Sequence, residues 1–548
     1  MLGKISILVS FIFAIIICLG SSYAAQDNDL FYSGDVTYNI KNAYNAGDNI
    51  ETTLVVANKE KFPLIDAYVI VDITQGCENP TYPSQDSDCD NVFFEKIIRN
   101  LNIDSLSQVS IPFSYKLPHD LKSGTYRMDV YLRTKKTPML GMAHIFLPGR
   151  HTSFKITGAG TEPSVKILRT QTEILGTTGP VGPPAEPSSK VTGSVFIENS
   201  KTSQVDGLSL FVGVCSWDDT GCESYVWKNT YPFSITASET KKIDFSFNAP
   251  KKPDAYAVRL EVKDKNGETK SLYRSRLIVT GKTAKIRKLW IGKRYYNAGE
   301  TVEINTMLFG SPDHYTYPVV NNANLLVSLK DLNNGKTLFQ NTEVIPELST
   351  DAGLVSRKFE FVSKSALSRF EVCAQITSEN NGIYDRHCIE VDSAKFSSNV
   401  RKYSLNEKKF DTETMKFSAN LCAADGSDMP ISANIEIDIS DLNSRNSVMS
   451  AKLNINKCSP LEFAFKSQTD YRVLINDEDV NRQYRFEFTS PKTEKSGYLG
   501  KNEKDEKDED DKKDEDKNYL IIAAIAVVLI AVILAYAYRK IKNHENFG

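Results

Sequence analysis

Acidic side chains cluster at two points of the chain, and the first cluster resembles a cation site. Three aspartates alternate around Cys89, and alternating carboxylates can bind calcium. A calcium loop that began at Asp86 would also require Gly at its sixth position and Glu at its twelfth, but Asn91 and an isoleucine occupy these positions. We therefore predict a solvated loop without a metal. The three aspartates are Asp86, Asp88 and Asp90.

The second acidic cluster, residues 218–221, lies between Cys215 and Cys222 and reads Asp-Asp-Thr-Gly, a sequence typical of a hairpin turn. Two tryptophans flank it, and two interpretations stay open for them. They could form an exposed aromatic binding tip together with the acids, or they could pack in the core, which is the favoured interpretation. The residues of such a tip would be Trp217, Asp218, Asp219 and Trp227.

No catalytic constellation can be recognised in the chain. His-Glu-x-x-His, Gly-x-Ser-x-Gly and phosphate-loop motifs are all missing from the sequence. Five histidines outside the C-terminal tail lie in separate predicted strands or domains and share no metal-ligand spacing. We predict no catalytic residue, no metal and no cofactor, and hence a protein that is not an enzyme. These histidines are His119, His144, His151, His314 and His387.

The net charge of −3 and the isoelectric point near 6.2 give no support for a nucleic-acid partner. Eight cysteines follow the N-terminal apolar segment, and an even number of cysteines in an exported chain predicts disulfide bonds. A zinc site is disfavoured because no Cys-x-x-Cys spacing occurs. We predict that neighbours in sequence are bonded. The predicted pairs are Cys77–Cys89, Cys215–Cys222, Cys373–Cys388 and Cys422–Cys458.

The elements that would carry these residues are β-strands, because almost the whole region between the two ends alternates apolar and polar residues with period two. An aromatic residue followed by alternate aliphatic residues occurs four times, beginning at Tyr126, Tyr256, Phe370 and Tyr471. A second predicted strand follows each of them, which indicates four closing hairpins and four sandwich domains. These second strands are predicted at residues 142–147, 273–279, 386–391 and 484–489.

Two predicted domains also begin alike. Tyr-Asn-Ala-Gly followed by an acid occurs at residues 44–48 and again at residues 296–300, each time before an alternating strand. Asn-Ala-Gly plus an acid is a turn sequence. Pro63 and Pro318 then precede similar aliphatic strands. Three correspondences in the same order predict that the first and third domains are homologous.

The segments YNAGDNIETTLVVAN and SGTYRMDVYLR of the first predicted domain resemble the tandem seven-stranded domains of archaeal and bacterial surface proteins of the cell-adhesion-related (CARDB) type. The third domain, with YNAGETVEINTMLF, is also similar to a macroglobulin-type sandwich. No Cys-Gly-Glu-Gln thioester motif occurs, so the trapping chemistry of that family is not expected. The resemblance implies the fold more than a function.

The two ends of the chain are apolar. Residues 1–25 combine Lys4, an apolar stretch and small residues at the cleavage position, which predicts a secretory signal peptide; an uncleaved N-terminal anchor is the alternative. The apolar run at residues 519–538 is long enough to span a bilayer. The basic cluster that begins at Arg539 predicts a cytoplasmic C-terminus. The expected topology is single-pass, with the N-terminal part outside the cell and the bilayer as a partner.

The predicted fold class is all-β: tandem antiparallel immunoglobulin-like β-sandwiches, followed by one C-terminal transmembrane α-helix. A proline-rich stretch at residues 176–189 is expected as an extended loop of the second domain. The predicted segments are a signal peptide at 1–25, sandwiches at 26–157, 158–282, 283–393 and 394–492, a charged disordered spacer at 493–518, the transmembrane helix at 519–538 and a cytoplasmic tail at 539–548.

These observations favour a membrane-anchored cell-surface protein with a structural or adhesive role, whose ligand would be an unidentified protein or envelope polymer. The alternative is a binding or receptor subunit of a membrane complex that serves export or envelope glycan processing. An ectoenzyme is a third and disfavoured interpretation, because it would require catalytic groups that the sequence does not place together.

Overall fold

A computed structural model describes residues 32–76, 91–135, 149–160, 165–179, 182–219, 221–310, 319–349, 354–396, 398–480 and 482–492. The predicted signal peptide, charged spacer, transmembrane helix and cytoplasmic tail lie outside these residues, as do Cys77 and Cys89 with their aspartates. The described residues up to Pro491 belong to one compact unit. Nearly all of them lie in strands or the turns between strands, which confirms the all-β class. A 3-10 turn at Ser393–Lys395 is the helical element described, and nothing in the described part of the chain is helical over a bilayer-spanning length.

Four groups of strands repeat one two-sheet topology. In each group the first, second and fifth main strands form a small antiparallel sheet, and the fourth, third, sixth and seventh form a larger one. Two such sheets packed face to face make a β-sandwich. The fourth strand pairs with the third instead of the fifth, which differs from the immunoglobulin constant-type arrangement.

The third and fourth sandwiches contain only these main strands. Those of the third are β19 (Ala284–Ile291), β20 (Thr301–Gly310), β21 (Val320–Asp331), β22 (Thr337–Leu348), β23 (Val355–Val362), β24 (Arg369–Thr377) and β25 (Ile383–Asp392). Those of the fourth are β26 (Arg401–Asp411), β27 (Lys416–Asp425), β28 (Ser432–Asp441), β29 (Ser447–Asn456), β30 (Cys458–Ala464), β31 (Asp470–Asp477) and β32 (Arg482–Thr489).

The first two sandwiches carry extra short strands. The first has β1 (Gly34–Thr37), β2 (Ala43–Asn45), β3 (Asn49–Asn58), β4 (Leu64–Gln75), β5 (Asn91–Ile103), β6 (Gln108–Lys116), β7 (Lys122–Arg133) and β8 (Gly149–Ala159). The second has β9 (Val165–Ile167), β10 (Glu173–Ile174), β11 (Thr177–Thr178), β12 (Pro184–Ala185), β13 (Lys190–Asn199), β14 (Val205–Ser216), β15 (Tyr225–Ile235), β16 (Thr240–Asn248), β17 (Asp254–Lys263) and β18 (Thr269–Val279).

The partner strand of β7 differs from the prediction. β7 pairs with β8, with Tyr126 opposite Phe154, whereas the sequence placed the partner at residues 142–147, outside the described residues. The residues of β8 alternate polar and apolar side chains in SFKITG, but they are less apolar than MAHIFL at residues 142–147, so apolar content misplaced the strand. β8 also continues to Ala159, past the predicted boundary at residue 157.

Each sandwich encloses its own apolar core, because alternate residues of both sheets face inward. Ile50 and Leu54 of β3 face Val71 and Val130 of the larger sheet in the first sandwich, and all four are fully buried. Burying one such aliphatic side chain stabilises a fold by about 1.5–3 kcal/mol. Ile65 of the first sandwich belongs to the core cluster of the third, so these two cores meet.

The repeated Asn-Ala-Gly sequences form the same turn. Gly47 and Gly299 have positive φ angles of 89° and 86°, which a residue with a Cβ rarely adopts. The amide of Asn45 donates to a carboxylate oxygen of Asp48 at 2.7 Å, and the amide of Asn297 donates to Glu300 at 2.8 Å. The acid after the glycine thus closes the turn before β3 and before β20.

Buried tyrosines repeat as well. The Tyr126 hydroxyl donates to the carbonyl of Lys122 at 3.0 Å, and the Tyr256 hydroxyl donates to that of Lys252 at 2.9 Å. Each tyrosine lies near the start of the sixth main strand and bonds to backbone just upstream, the arrangement called a tyrosine corner. Two of the aromatic positions chosen from the sequence, Tyr126 and Tyr256, therefore anchor the connection into this strand.

The described residues contain three disulfide bonds: Cys215–Cys222, Cys373–Cys388 and Cys422–Cys458. Cys373 and Cys388 lie directly opposite each other on β24 and β25, and the third bond joins β27 to β30 in the same way. All three are local links within one sandwich, as the neighbour pairing from the sequence requires.

Gly310 lies where two backbones meet, which yields a stability prediction. A Cβ at Gly310 would lie 2.4 Å from the carbonyl carbon of Leu348, so Gly310→Ala is expected to destabilise the unit by about 1–2 kcal/mol. Gly124→Ala is the matched control, because its Cβ would meet only a ring carbon of Tyr126 at 3.8 Å. Urea denaturation of both variants measures the difference. Equal stability of the two would contradict the close approach at Gly310.

Candidate functional site

Buried polar side chains are concentrated at a junction around β19 and the turn that follows it. Residues 285–294 carry five basic side chains, and four of the five are almost fully buried. Ile286 and Leu289 of β19 still face the core of the third sandwich, because a β-bulge falls between Ile286 and Lys288. The extra residue lets consecutive basic side chains point outward. The five are Lys285, Arg287, Lys288, Lys293 and Arg294.

The first two basic residues bind the second sandwich. Lys285 Nζ lies 2.7 Å from Asp218 Oδ2 and 2.5 Å from Asp254 Oδ2, and Arg287 Nη1 donates to Asp218 Oδ1 at 3.1 Å. Burial lowers the pKa of Lys285, but the charges of Asp218, Asp254 and Asp385 outweigh it, and the pKa is raised overall. Burial raises the pKa of Asp254 despite the neighbouring lysine.

The middle of β19 binds the first sandwich. Lys288 Nζ donates to Glu60 at 3.2 Å and lies within 5.3 Å of the ring centroids of Tyr32, Phe62 and Trp290. A cation over aromatic faces is stabilised by the ring quadrupoles. The Tyr32 hydroxyl also donates to the carbonyl of Leu289 at 2.6 Å.

The last basic residue reaches two sandwiches at once. Arg294 Nε lies 3.4 Å from Asp104 of the first sandwich, and its Nη2 contacts Asp425 of the fourth. The Ser427 hydroxyl donates to Asp104 at 2.7 Å, so the first and fourth sandwiches also touch directly. Lys293, which is one-third exposed, binds Asp428 of the fourth sandwich at 2.6 Å.

Together these contacts join all four sandwiches at one segment. A buried charge costs several kcal/mol unless a partner and hydrogen bonds compensate it, so each contact is satisfied in only a narrow range of orientations. The junction can therefore fix how the sandwiches are placed on one another.

The first two sandwiches are further joined through their larger sheets, which meet at the ladder pair Leu272–Val92. Glu95 of β5 accepts from Arg259 Nη1 at 2.6 Å and also contacts Arg274. Burial raises the pKa of Asp72 to about 6, while Arg274 opposes this shift and Asp129, directly opposite on β7, adds to it. This face carries a network of buried charges.

A cleft of about 570 Å³ opens between the first two sandwiches. Half-buried Phe94 and Tyr115, whose ring centroids lie 3.8 Å apart, form part of its wall. Charged side chains of both sandwiches line the rest, among them Lys116, Asp120 and Glu268. An aromatic wall with a few polar groups at a domain boundary is typical of a binding cleft.

Of the two interpretations of the turn around Trp217, the exposed binding tip, which was the less favoured one, is wrong. Trp217 is 4 % exposed, and Asp218 is buried against Lys285 and Arg287 of the third sandwich. Asp219 lies 3.7 Å from Arg99 of the first sandwich, and Trp227 stacks on Phe247. The turn is buried because two other sandwiches close over it, which no local sequence pattern indicates. The core alternative for the tryptophans is the one observed.

Other candidate residues stay apart. His151 Nδ1 lies 2.6 Å from Asp129 in the first sandwich, to which His119 also belongs, whereas His387 lies in the third. His144 and His314 lie outside the described residues. Glu371, Cys373 and Cys388 cluster like metal ligands, but the two thiols are joined in a disulfide. Within the proline-rich stretch, Thr177–Thr178 pairs with β10 and Pro184–Ala185 pairs with the end of β18.

Sequence reasoning missed the junction as a site. The motif KIRKLWIGKR at residues 285–294 carried a signal, since so many basic residues in a strand that must also face a core are unusual. Their partners are scattered over more than 300 residues, from Glu60 to Asp428, and no spacing rule connects them.

No protein-family model matches the chain, and no curated protein matches its sequence. Among solved structures, red sea bream transglutaminase aligns at 9% identity and a TM-score of 0.18, covering 45% of this chain and 31% of the transglutaminase. Escherichia coli alpha-2-macroglobulin activated by porcine elastase aligns at 10% identity and a TM-score of 0.18, covering 84% of this chain and 44% of that chain. This chain thus spans less than half the length of either. The class established here, a multi-domain β protein, rests on the strand pairings.

Proposed function

We propose that the protein is a membrane-anchored cell-surface scaffold of structural or adhesive role, with its β-sandwiches outside the cell. The observation that carries the proposal is the buried junction at residues 285–294, which binds three other sandwiches through ion pairs. A scaffold must present its outer surfaces in a constant geometry, and such a junction does this without a catalytic site.

Sequence features support the location. The apolar segments at residues 1–25 and 519–538 fit an export signal and a membrane anchor, and the bilayer would be the partner of the second. Disulfide bonds suit an oxidising, extracytoplasmic compartment. The CARDB-type resemblance of the first domain is in keeping with a surface location. The ligand would be a protein or an envelope polymer, and the protein would not be an enzyme.

A binding subunit of a membrane complex is the second candidate, and the cleft between the first two sandwiches favours it. Its aromatic wall and mixed charges could receive part of a partner subunit or of a glycan. Purification in mild detergent separates the two candidates. A stoichiometric membrane partner supports the complex, whereas self-association or bound envelope material supports the scaffold.

Protease treatment of intact cells that express the full chain tests the proposed location. We expect cleavage within residues 493–518, which releases the sandwiches as one fragment and leaves a small C-terminal fragment in the membrane. A variant that lacks residues 519–548 should appear in the medium. Cells lysed before treatment serve as the control. Full protection of the chain in intact cells, with cleavage only after lysis, would refute a surface location.

A further inference from the structure

Three carboxylates lie close to Lys285, those of Asp218, Asp254 and Asp385. Asp218 and Asp254 both contact Lys285 Nζ. A carboxylate oxygen of Asp385 accepts from the backbone amide of Ile286. Arg287 is the second cation of this group. The side chains of Lys285, Arg287, Asp218 and Asp254 are each at most 8 % exposed. Lys252 is a further cation that acts on Asp254, so three carboxylates and three cations lie in or next to this group.

We propose that Lys285 and Asp218 join through an amide bond between Nζ of the lysine and Cγ of the aspartate, which links the third sandwich covalently to the second. The contact of 2.7 Å between Nζ and Asp218 Oδ2 holds the nitrogen against the carboxyl group whose carbon it would attack. Two groups that a fold keeps together react as if they were present at very high concentration once they reach the attack geometry.

The reaction balances without a co-reactant. Asp254 takes one proton from the Lys285 ammonium, and the free amine attacks Cγ of Asp218 to form the new C–N bond. Asp254 then passes this proton to the departing oxygen, which also receives a second proton from the attacking nitrogen. The C–O bond breaks and one water leaves. The ammonium and the carboxylate thus become an amide and water, with no change of oxidation state and with Asp254 restored.

Two neighbours of Lys285, Asp254 and Arg287, assist the reaction. Asp254 is the proton carrier, since its Oδ2 lies 2.5 Å from Nζ. Arg287 donates to Asp218 Oδ1 at 3.1 Å, where negative charge would develop on the tetrahedral intermediate. Burial limits the access of water that would reverse the reaction.

The other two lysines of the junction do not have two buried carboxylates in contact with Nζ. Lys288 has Glu60 and three aromatic rings around it. Lys293 contacts two acids, Glu300 and Asp428, but all three side chains are about one-third exposed, so water competes. These two lysines serve as internal controls for the modification of Lys285.

Peptide mapping of the full-length, natively purified chain tests the proposal after denaturation, reduction and trypsin digestion. An amide on Lys285 blocks cleavage there, so residues 283–287 should appear joined to residues 202–228, which contain Asp218 and both cysteines of one disulfide. The joined species should be lighter than the sum of its two peptides by one water. Peptides with Lys288 and Lys293 should be unmodified.

Two variants assign the roles. Lys285→Arg keeps the charge and must lose the joined peptide, and Asp254→Asn keeps the shape but must lose or strongly slow the bond. Quantitative recovery of residues 202–228 and 283–285 as separate peptides from the wild-type chain would overturn the proposal, whatever the variants do. A link from Lys285 to the peptide that contains Asp254 would overturn the assignment to Asp218.

Discussion

Replacing Arg294 by methionine is expected to lower the free energy of unfolding by about 3–5 kcal/mol, the usual cost of breaking a buried ion pair from one side. Arg294 is 3 % exposed and contacts Asp104 and Asp425, which are buried as well. Methionine fills a similar volume but leaves both carboxylates without this cation. Chemical denaturation, followed by tryptophan fluorescence and by circular dichroism, measures the loss.

A neighbour on the same turn provides the control. Lys293 also binds the fourth sandwich, through Asp428, but its side chain is 34 % exposed. Exposed ion pairs contribute about 0–1 kcal/mol, so Lys293→Met should change stability little. If both variants lose the same small amount, the buried pairs of Arg294 do not hold the sandwiches together, and the junction is not their common attachment.

A second large effect is expected from Asp72. Because burial raises the folded-state pKa of Asp72 to about 6, the neutral carboxyl is the form that suits the fold. The stability that the neutral Asp72 carboxyl contributes to the fold is complete below the unfolded-state pKa of this group. It is lost as the pH rises through 6. Lowering the pH from 7.5 to 5 should therefore add about 1–2 kcal/mol through this group.

Asp72→Asn isolates this contribution from those of other carboxyl groups. The amide cannot ionise, so the variant should be more stable than the wild type by about 1–3 kcal/mol at pH 7.5. This advantage should shrink towards pH 5, and the difference between the two stability–pH curves is the quantity to measure. A constant difference across this range would show that Asp72 does not titrate there. A variant that is less stable at pH 7.5 would show that its charged pairing with Arg274 prevails.

The fold follows from the sequence to a large extent, because period-two alternation and turn chemistry are local. Tyr126, Tyr256, Phe370 and Tyr471 mark the start of equivalent strands, and the two Asn-Ala-Gly turns form as their sequences require. The partner of β7 was misplaced because register depends on pairing, which a single strand does not encode.

The site was far less accessible from the sequence. Asp218 looked like an exposed turn residue, because the acids and the glycine around it are typical of hairpin tips. It is buried by Lys285 and Arg287, which come close to it in space only when the sandwiches are assembled. Contacts between domains depend on the arrangement of whole surfaces, which no periodicity records.

The burial of the basic side chains of β19 and Arg294 also bears on the medium around the protein. Mobile ions screen exposed charges over about 10 Å at 0.1 M ionic strength but hardly reach pairs that are closed off from water. Lys285, Lys288 and Arg294 are almost inaccessible, whereas the pair of Lys59 and Asp35 is open to solvent. Brackish or saline surroundings would thus weaken the outer ion pairs and leave the arrangement of the sandwiches unchanged.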